Sequence, residues 1–180
     1  MNKKKIKKET DKKNISDQIQ EELLKNPKRT DREIAKKLKT YRQKVWRHRK
    51  KLEEENHLWG YTTILDESKK EHVVYLILIK MKPMDEKLSN LIINRNIKKE
   101  PSKQKIRLIN VLYVNGEYDW LIMFSAPNHK TARRYYDSLR VAYNDYLLEK
   151  PKIIDVNFTL IREGKINPEI NKLKSYVPLK

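Results

Sequence analysis

The chain has 180 residues, no cysteine and a formal net charge of +18, and charged residues make up 37% of it. Without cysteine, disulfides and zinc-thiolate sites are excluded. The positive charge favours a polyanionic partner, either nucleic acid or an anionic membrane face. No apolar stretch approaches the roughly 18 residues of a membrane span, and no apolar signal core follows the lysine-rich start. We therefore expect a cytoplasmic protein with no membrane partner.

The N-terminal third predicts a basic arm followed by three helices. Residues 1–13 are rich in lysine and nearly free of apolar side chains, which predicts a disordered arm. Thr30 with Glu33 is a capping-box pattern before the second helix, and Thr40 with Gln43 offers another before the third. Apolar residues at helical spacing predict helices over about 16–26, 31–39 and 41–55. Such short helices, with a tight turn between the last two, predict a helix-turn-helix.

The next segment predicts a wing and a linker. Aromatic and β-branched residues from Leu58 to Leu65 favour a strand, which would form the wing and lead out of the first domain. The polar stretch 66–72 predicts a linker. The expected divisions are a basic arm at 1–13, a winged helix-turn-helix at 14–65, a linker at 66–72, a second domain at 73–165 and a C-terminal tail at 166–180.

The second domain has the pattern strand, helix, strand, strand, helix, strand. The expected elements are 73–80, 85–96, 106–114, 118–125, 128–148 and 153–161. This βαββαβ order is that of a ferredoxin-like domain, so the expected fold class is α+β. Asn115 and Gly116, between the two middle strands, predict a tight hairpin turn because both residue types tolerate positive φ.

Two of these strands predict a homodimer. Residues 73–79 and 120–124 are apolar on both faces of the expected sheet, whereas the two helices of a ferredoxin-like domain cover only one face. The other face would expose a larger apolar patch than monomers usually carry. We expect a second copy to cover it. Coverage by the first domain or by the C-terminal tail is the alternative.

The third helix carries a run of cationic residues before its first acidic residue, Glu53. If Val45 and Leu52 face the core, the opposite side is available to a DNA major groove. Arg47 and Gln43 are the expected base readers, because each side chain can form two hydrogen bonds to one base. The expected DNA contacts on this helix are Arg42, Gln43, Lys44, Trp46, Arg47 and Lys50, with packing of Trp46 against the wing as the alternative for that residue.

Further cations near helix ends suit phosphate groups. Lys28, Arg29, Arg32 and Lys39 flank such ends, where exposed backbone amides favour anions. Simple surface charge is the alternative for each. Catalytic patterns are lacking, because the four histidines have no metal-ligand spacing and three glycines cannot build a phosphate-binding loop. We expect no enzyme activity, metal or cofactor.

Two stretches resemble the Lrp/AsnC family of transcription regulators and together cover about residues 15–165. The first resembles the family's winged-helix signature, and the second, Gly116-Glu117-Tyr118-Asp119 before the apolar strand 120–124, is similar to the Gly-x-Tyr-Asp hairpin of its RAM domain. The first stretch consists of Ala35, Lys36, Lys37, Leu38, Val45, Leu52, Glu53, Leu58, Gly60 and Tyr61. The departures are Lys39 and Asn56 in place of family glycines, His48 in place of arginine and Arg49 in place of isoleucine.

The resemblance implies DNA binding by a dimer or an assembly of dimers, with a small effector, often an amino acid, bound between RAM domains. Carried onto this chain, it implies effector contacts at Gly116, Tyr118 and Asp119, with a turn-forming or capping role as the alternative. Two other functions remain open. One is a non-specific architectural DNA-binding protein, and the other is an enzyme, since the family's fold also hosts sirohaem decarboxylases.

Overall fold

The structure is a computed structural model that describes residues 14–94 and 103–177. The chain divides into two compact units at Thr63 and Ile64. The N-terminal unit is helical, and the C-terminal unit combines a sheet with helices. The basic arm expected at residues 1–13 lies outside the described residues.

Three helices form the N-terminal unit: α1 (Ile15–Lys25), α2 (Asp31–Lys37) and α3 (Arg42–Glu54). The capping box at the start of α2 is confirmed. The Glu33 amide donates to Thr30 Oγ1 at 3.3 Å, and the Thr30 amide donates to Glu33 Oε2 at 2.7 Å. These bonds satisfy two amides that the helix itself leaves unpaired, so they mark where α2 begins.

Left-handed backbone conformations end α2 and α3. Lys39 has φ 51° and Asn56 has φ 57°, and these are the two positions where the sequence departs from family glycines. After each of these residues the chain donates back to the helix: the Thr40 amide to the Ala35 carbonyl and the His57 amide to the Leu52 carbonyl, both at 2.9 Å. This is the Schellman arrangement, which asparagine tolerates better than lysine does.

Two expectations for the N-terminal unit are wrong. Thr40 does not cap α3, because the helix begins one residue later, after Tyr41, and no side chain of the described residues caps it. No strand forms over Leu58 to Leu65, since residues 58–66 adopt neither helix nor strand. A strand requires a neighbour for its backbone hydrogen bonds, and the β-prone composition of this segment does not supply one.

The C-terminal unit contains a four-stranded antiparallel sheet. Its elements are β1 (Val73–Ile79), α4 (Glu86–Asn94), β2 (Arg107–Tyr113), β3 (Trp120–Ala126), α5 (His129–Ala142) and β4 (Lys152–Val156). The sheet order β2-β3-β1-β4 is the ferredoxin-like arrangement. The predicted fold class is therefore confirmed for both units.

The connection between β2 and β3 differs from the expected tight turn. Tyr113 pairs with Trp120, so a six-residue loop joins the strands, and neither Asn115 nor Gly116 has positive φ. The Asp119 amide donates to the Ile79 carbonyl at 2.9 Å, and the Val114 amide donates to the Asp119 carbonyl at 2.8 Å. These bonds hold the second half of the loop against the end of β1, which a two-residue turn does not allow.

Two elements are shorter than predicted. Helix α5 ends at Ala142, because the chain then turns through a 3-10 helix so that the Leu148 amide bonds the Lys80 carbonyl at 3.0 Å. Strand β4 ends at Val156, and a separate hairpin of β5 (Ile161–Arg162) and β6 (Lys165–Ile166) follows. A 3-10 helix over Ile170–Ser175 comes next. At the end of α5, a long-range hydrogen bond overrides the local sequence pattern.

The segment 66–72, expected to be a linker, is part of the folded C-terminal unit. It contains a 3-10 helix, Ser68–Lys70, and the side chain of Glu67 is buried. Arg107 and Arg162 contact the Glu67 carboxylate. Because these contacts involve distant parts of the chain, the polar composition of the segment did not indicate them.

The two faces of the sheet differ in burial. Alternate residues of β1 and β3, among them Tyr75, Ile77 and Phe124, are buried in a core with α4 and α5. The intervening residues lie on the other face and are half-buried, apart from the buried Ser125. We call this second surface the open face: Val74, Leu76, Leu78, Leu121 and Met123, with the exposed Leu112 and Ile154 beside them.

Candidate nucleic-acid interface

Helix α3 buries one side and exposes the other. Val45 and Leu52 are buried in the core of the N-terminal unit, as the apolar spacing predicts. Every residue of this helix that is expected to contact DNA is exposed: Arg42, Gln43, Lys44, Trp46, Arg47 and Lys50. The helix therefore presents five of its polar or cationic side chains and one tryptophan to solvent. A polyanion can contact such a surface without unfolding the unit, because the side chains lie outside its core.

Two other residues of α3, His48 and Arg49, lie on its inner flank and are half-buried. His48 Nδ1 lies 2.9 Å from Ser16 Oγ in a hydrogen bond between α3 and α1. Arg49 bonds Asp31 Oδ1 at 3.1 Å and Tyr61 Oη at 2.8 Å. Both residues therefore have structural partners within the unit.

The Arg49 contacts also hold the chain that follows α3. Tyr61 Oη donates to Glu53 Oε1 at 2.8 Å while it accepts from Arg49. Burial raises the pKa of Tyr61, and its hydrogen bond to Glu53 raises it further. Burial alone would lower the pKa of Arg49, but the bonds to Tyr61 and Asp31 raise it above the ordinary value. The phenol thus stays protonated and the guanidinium charged, which keeps this network intact.

Trp46 lies at the centre of the exposed side of α3. Its side chain is 48% exposed, and Lys50 Nζ lies 5.5 Å from the centre of the indole ring. Lys50 also forms a surface ion pair with Glu54 at 3.5 Å. The ring is therefore available to an apolar group of a ligand, such as the methyl group of thymine in a major groove.

The cations near helix ends divide into two groups. Arg29 forms an ion pair with the buried Glu22, which Lys25 and Lys37 also contact, so its guanidinium has a structural role. Lys28, Arg32 and Lys39 are exposed. Of these, Lys39 occupies the left-handed position between α2 and α3.

Two exposed aromatic residues were not among the sequence candidates. Tyr41, directly before α3, is 82% exposed, and Trp59, in the segment after α3, is 95% exposed. Aromatic side chains interleaved with cations can stack on nucleic-acid bases. Their positions directly before and shortly after the cationic helix could have made them candidates. The sequence did not show that both side chains are exposed.

The residues implied as effector contacts have partners inside the C-terminal unit. Asp119 Oδ2 accepts from the Met81 amide at 2.7 Å, which holds the end of β1. Tyr118 Oη accepts from Lys152 Nζ at 2.6 Å, and this bond raises the pKa of Lys152. A methyl group placed on the Cα of Gly116 would meet no atom of the described residues within 4 Å, so no close approach requires a glycine there. These contacts fit the structural alternative for Asp119.

The histidines show no metal site. His129 Nδ1 lies 3.0 Å from the Tyr75 hydroxyl and 3.9 Å from Asp155 Oδ2. Within residues 14–94 and 103–177, no group of three or more histidine or acidic side chains could hold a metal ion. In the same part of the chain, no helix is long and apolar enough to cross a membrane.

Comparison with known families matches the N-terminal unit. Residues 18–56 match the family model described as winged helix-turn-helix DNA-binding. The match spans α2 and α3 together with most of α1. No curated protein sequence matches the chain significantly.

Solved structures match nearly the whole chain. The leucine response regulatory protein LrpA of Mycobacterium tuberculosis has a TM-score of 0.66 at 14% identity, covering 87% of this chain and 99% of LrpA. An AsnC family regulator from Agrobacterium tumefaciens has 0.62 at 14%, covering 87% and 97%. A Neisseria meningitidis regulator in complex with L-Met has 0.61 at 15%, covering 92% and 99%. The chain therefore has the fold of the Lrp/AsnC regulators, which confirms the resemblance in its sequence.

Proposed function

We propose that this protein is a sequence-specific DNA-binding regulator of transcription that acts as a homodimer or an assembly of dimers. The observation that carries the proposal is the exposed side of α3. Gln43 and Arg47 are exposed there, while Val45 and Leu52 on the opposite side are buried in the core of the N-terminal unit. A function on chromosomal DNA also agrees with the cytoplasmic location expected from the sequence. No catalytic step is part of the proposal.

The proposed recognition has two levels. Arg47 and Gln43 hydrogen-bond base edges in the major groove, with Trp46 in apolar contact beside them. Arg42, Lys44, Lys50, Arg32 and Lys39 contact phosphates, which gives affinity and register without reading the sequence. Arg29 is the weakest of the expected contacts, because its guanidinium is already paired with Glu22.

The open face supports the dimer. Leu76 pairs with Met123 across the sheet and Leu78 with Leu121, so the apolar side chains form one continuous surface. A second copy that packs on this surface would remove it from water, at roughly 25 cal/mol for each Å² buried. A two-fold dimer presents two recognition helices to successive major grooves, about 34 to 36 Å apart, so the operator should contain an inverted repeat.

The proposal also includes a small effector. The Neisseria meningitidis structure holds L-Met, and an amino acid bound near Gly116, Tyr118 and Asp119 would follow by analogy. Calorimetric titration of the dimer with the twenty amino acids tests this part. Binding that persists unchanged in Tyr118→Ala and Asp119→Asn would exclude the proposed residues.

Selection of bound sequences from a random duplex pool tests the central proposal. We expect a shared motif with two-fold symmetry to emerge. Labelled operator should then resist competition by random duplex, with a specificity ratio on the order of 10³ or more. Equal competition by both duplexes would refute sequence-specific binding.

A non-specific architectural protein is the second candidate, favoured by the net charge of +18 and the lysines of residues 1–13. It predicts steep salt dependence and little preference between sequences. Deletion of residues 1–13 should flatten the slope of log affinity against log salt while sparing the preferred sequence, if the arm contacts phosphates. An unchanged slope would show that it does not.

Light scattering tests the dimer. Leu76→Lys places a charge on the open face and should produce monomers with weakened operator binding. Val141→Lys, at an exposed position of α5, is the matched control and should stay dimeric. If Leu76→Lys remains a dimer, the open face is not the interface.

A further inference from the structure

The beginning of the C-terminal unit is bound by the end of the chain. We call residues 157–177, which follow the four-stranded sheet, the C-terminal extension. Its residue Arg162 contacts the carboxylate of Glu67 at 3.7 Å and donates to the Leu65 carbonyl at 3.3 Å. Glu169, also in the extension, pairs with Lys69 at 3.5 Å. Residues 65–69 are therefore attached to the extension at three points.

Glu67 is the most buried of these groups. Its side chain is only 3% exposed, and Arg107 of β2 contacts the same carboxylate. A buried carboxylate between two guanidinium groups is strongly held, because separation leaves a charge in a medium that solvates it poorly. The segment after Ile64 is thus fixed by the sheet and by the extension together.

The extension has enough internal structure to act as a fixed support. Glu163 and Gly164, with φ 48° and 70°, form a tight primed turn between β5 and β6. Asn167 Nδ2 donates to the Thr159 carbonyl at 2.8 Å, and the rings of Phe158 and Tyr176 lie 5.3 Å apart. Arg162 is therefore presented from an ordered hairpin.

The N-terminal unit binds Tyr61, which lies shortly before residues 65–69 in the chain. Tyr61 hydrogen-bonds Arg49 and Glu53 of α3, whereas Leu65 is bonded to Arg162. Thr62, Thr63 and Ile64 are left between the two attachment points, and we call them the connector. At about 3.3 to 3.6 Å per residue, the connector spans only about 10 Å even when it is fully extended.

We infer that the C-terminal extension determines which half-site spacings the protein accepts, because Arg162 and Glu67 keep the connector short. This inference rests on the proposed function, since it requires two recognition helices bound to one operator. Without the attachment, residues 62–72 would become available as a connector of about 35 Å. A longer and more flexible connector lets the two helices reach half-sites at other separations and rotations. It also lowers the effective concentration of the second recognition helix at the half-site of the preferred operator. Arg162 and Glu67 are positioning residues, since neither contacts DNA in this scheme.

The experiment compares operators that differ only in spacing. The operator recovered with the wild-type full-length protein is remade with its half-sites moved by two base pairs in either direction, which rotates one half-site by about 70°. Wild-type affinity should fall on the order of tenfold or more for the altered spacings. The double variant Glu67→Gln/Arg162→Ala should lose less than about threefold, because its freed connector follows the displaced half-site.

The variants are chosen to separate this effect from misfolding and from charge. The double substitution leaves the net charge unchanged and avoids stranding a buried carboxylate. Glu163→Gln/Lys174→Ala also removes one acidic and one basic side chain with no change in net charge, at exposed positions of the extension, and it should keep the wild-type spacing profile. Insertion of Gly-Ser-Gly-Ser after Thr63 lengthens the connector directly and decides the case if circular dichroism shows the double variant unfolded.

The outcomes separate the inference from the function on which it rests. A flatter spacing profile in the folded double variant, with an unchanged control, supports the inference; the insertion variant takes its place only where the double variant is unfolded. A wild-type protein that prefers its operator, but whose spacing profile is shared by the folded double variant, overturns the inference alone. A wild-type protein that does not distinguish operator from random duplex overturns the proposed function and this inference with it.

Discussion

The two units of this protein are stabilised in different ways. Within residues 14–94 and 103–177, the core of the N-terminal unit has six buried apolar residues and that of the C-terminal unit has fifteen, six of them aromatic. The smaller core is supplemented by a capping box, two Schellman turns and ion pairs around Glu22 and Arg49. The small unit, which leaves one side of α3 exposed, thus relies on polar contacts at its edges. The larger unit instead has apolar surface in excess and exposes part of it.

Truncation of an aromatic core residue should give the largest effect. Phe124→Ala removes a fully buried ring that stacks on Tyr75 and contacts Tyr135, so the free energy of unfolding of the C-terminal unit should fall by about 3 to 5 kcal/mol. Urea denaturation monitored by tyrosine and tryptophan fluorescence measures it. Val141→Ala, at a position 81% exposed, should change stability by less than about 0.5 kcal/mol. Equal effects of the two substitutions would contradict the assigned core.

Removal of a buried charge should be the most damaging polar change in the N-terminal unit. Glu22→Gln leaves Arg29, 17% exposed, without its carboxylate, and should lower the free energy of unfolding by about 2 to 3 kcal/mol. Chemical denaturation of the full chain provides the measurement. Glu54→Gln, which removes only the exposed pair with Lys50, should cost under about 0.5 kcal/mol. A tolerated Glu22→Gln would mean that the ion pairs around Glu22 do not stabilise this unit.

Two arginines of α3 should separate binding from stability. Arg47→Ala should weaken operator binding by about 1 to 3 kcal/mol and relax discrimination at one base position, with unfolding unchanged. Arg49→Ala should instead lower the melting temperature, because it removes the bonds to Asp31 and Tyr61. Operator titrations and thermal melts on both variants make the comparison. A uniform loss over all sequences for Arg47→Ala would reassign it as a phosphate contact.

Relief of backbone strain should stabilise the turn before α3. Lys39 adopts φ 51°, so Lys39→Gly should raise the free energy of unfolding by up to about 1 kcal/mol. Lys36→Gly, inside α2, should lower it by about 1 kcal/mol, because glycine disfavours a helix interior. Denaturation curves of the pair therefore should shift in opposite directions. Parallel shifts would argue that loss of a surface charge, rather than backbone conformation, dominates.

The smallest expected effect is a pH dependence at the start of α2. The hydrogen bond from the Thr30 backbone lowers the pKa of Glu33, and the Thr30 hydroxyl lowers it further. The stabilisation is therefore complete above the ordinary glutamate pKa, about 4.3, and is lost as the pH falls through the lowered value. Thermal melts should show a smaller loss of stability for Glu33→Gln than for the wild type as the pH is lowered from about 5 to about 3. Identical pH profiles would remove Glu33 from the acid response.

Local sequence rules predicted the helices of the N-terminal unit and most strands of the C-terminal unit. Thr30 and Glu33 define a helix start by themselves, because the capping bonds span only three residues. The same kind of rule failed at Asn115 and Gly116, where bonds from Asp119 to the end of β1 shape the loop. It also failed over Leu58 to Leu65, because β-propensity cannot supply a partner strand.

The candidate DNA-binding side was predictable for a similar reason, and its exceptions were not. Helical periodicity placed Arg47 opposite Val45 and Leu52, since the geometry of one helix relates those positions. The same periodicity places Arg49 on the side of Val45 and Leu52, but no local pattern identifies its partners Asp31 and Tyr61, which lie 18 and 12 residues away. The exposure of Trp59 could not be predicted from the sequence either, because it depends on tertiary packing.

The amino-acid sequence alone thus determined the charge, the start of α2, the order of the elements in the C-terminal unit and the cationic side of α3. Each of these depends on composition or on residues a few positions apart. Only the tertiary structure decided that Glu67 is buried between Arg107 and Arg162, and that a segment with the composition of a linker belongs to a folded unit. Burial and long-range ion pairs depend on which distant segments come into contact. The free energy of such contacts includes the entropy of closing long loops, which no local sequence pattern specifies.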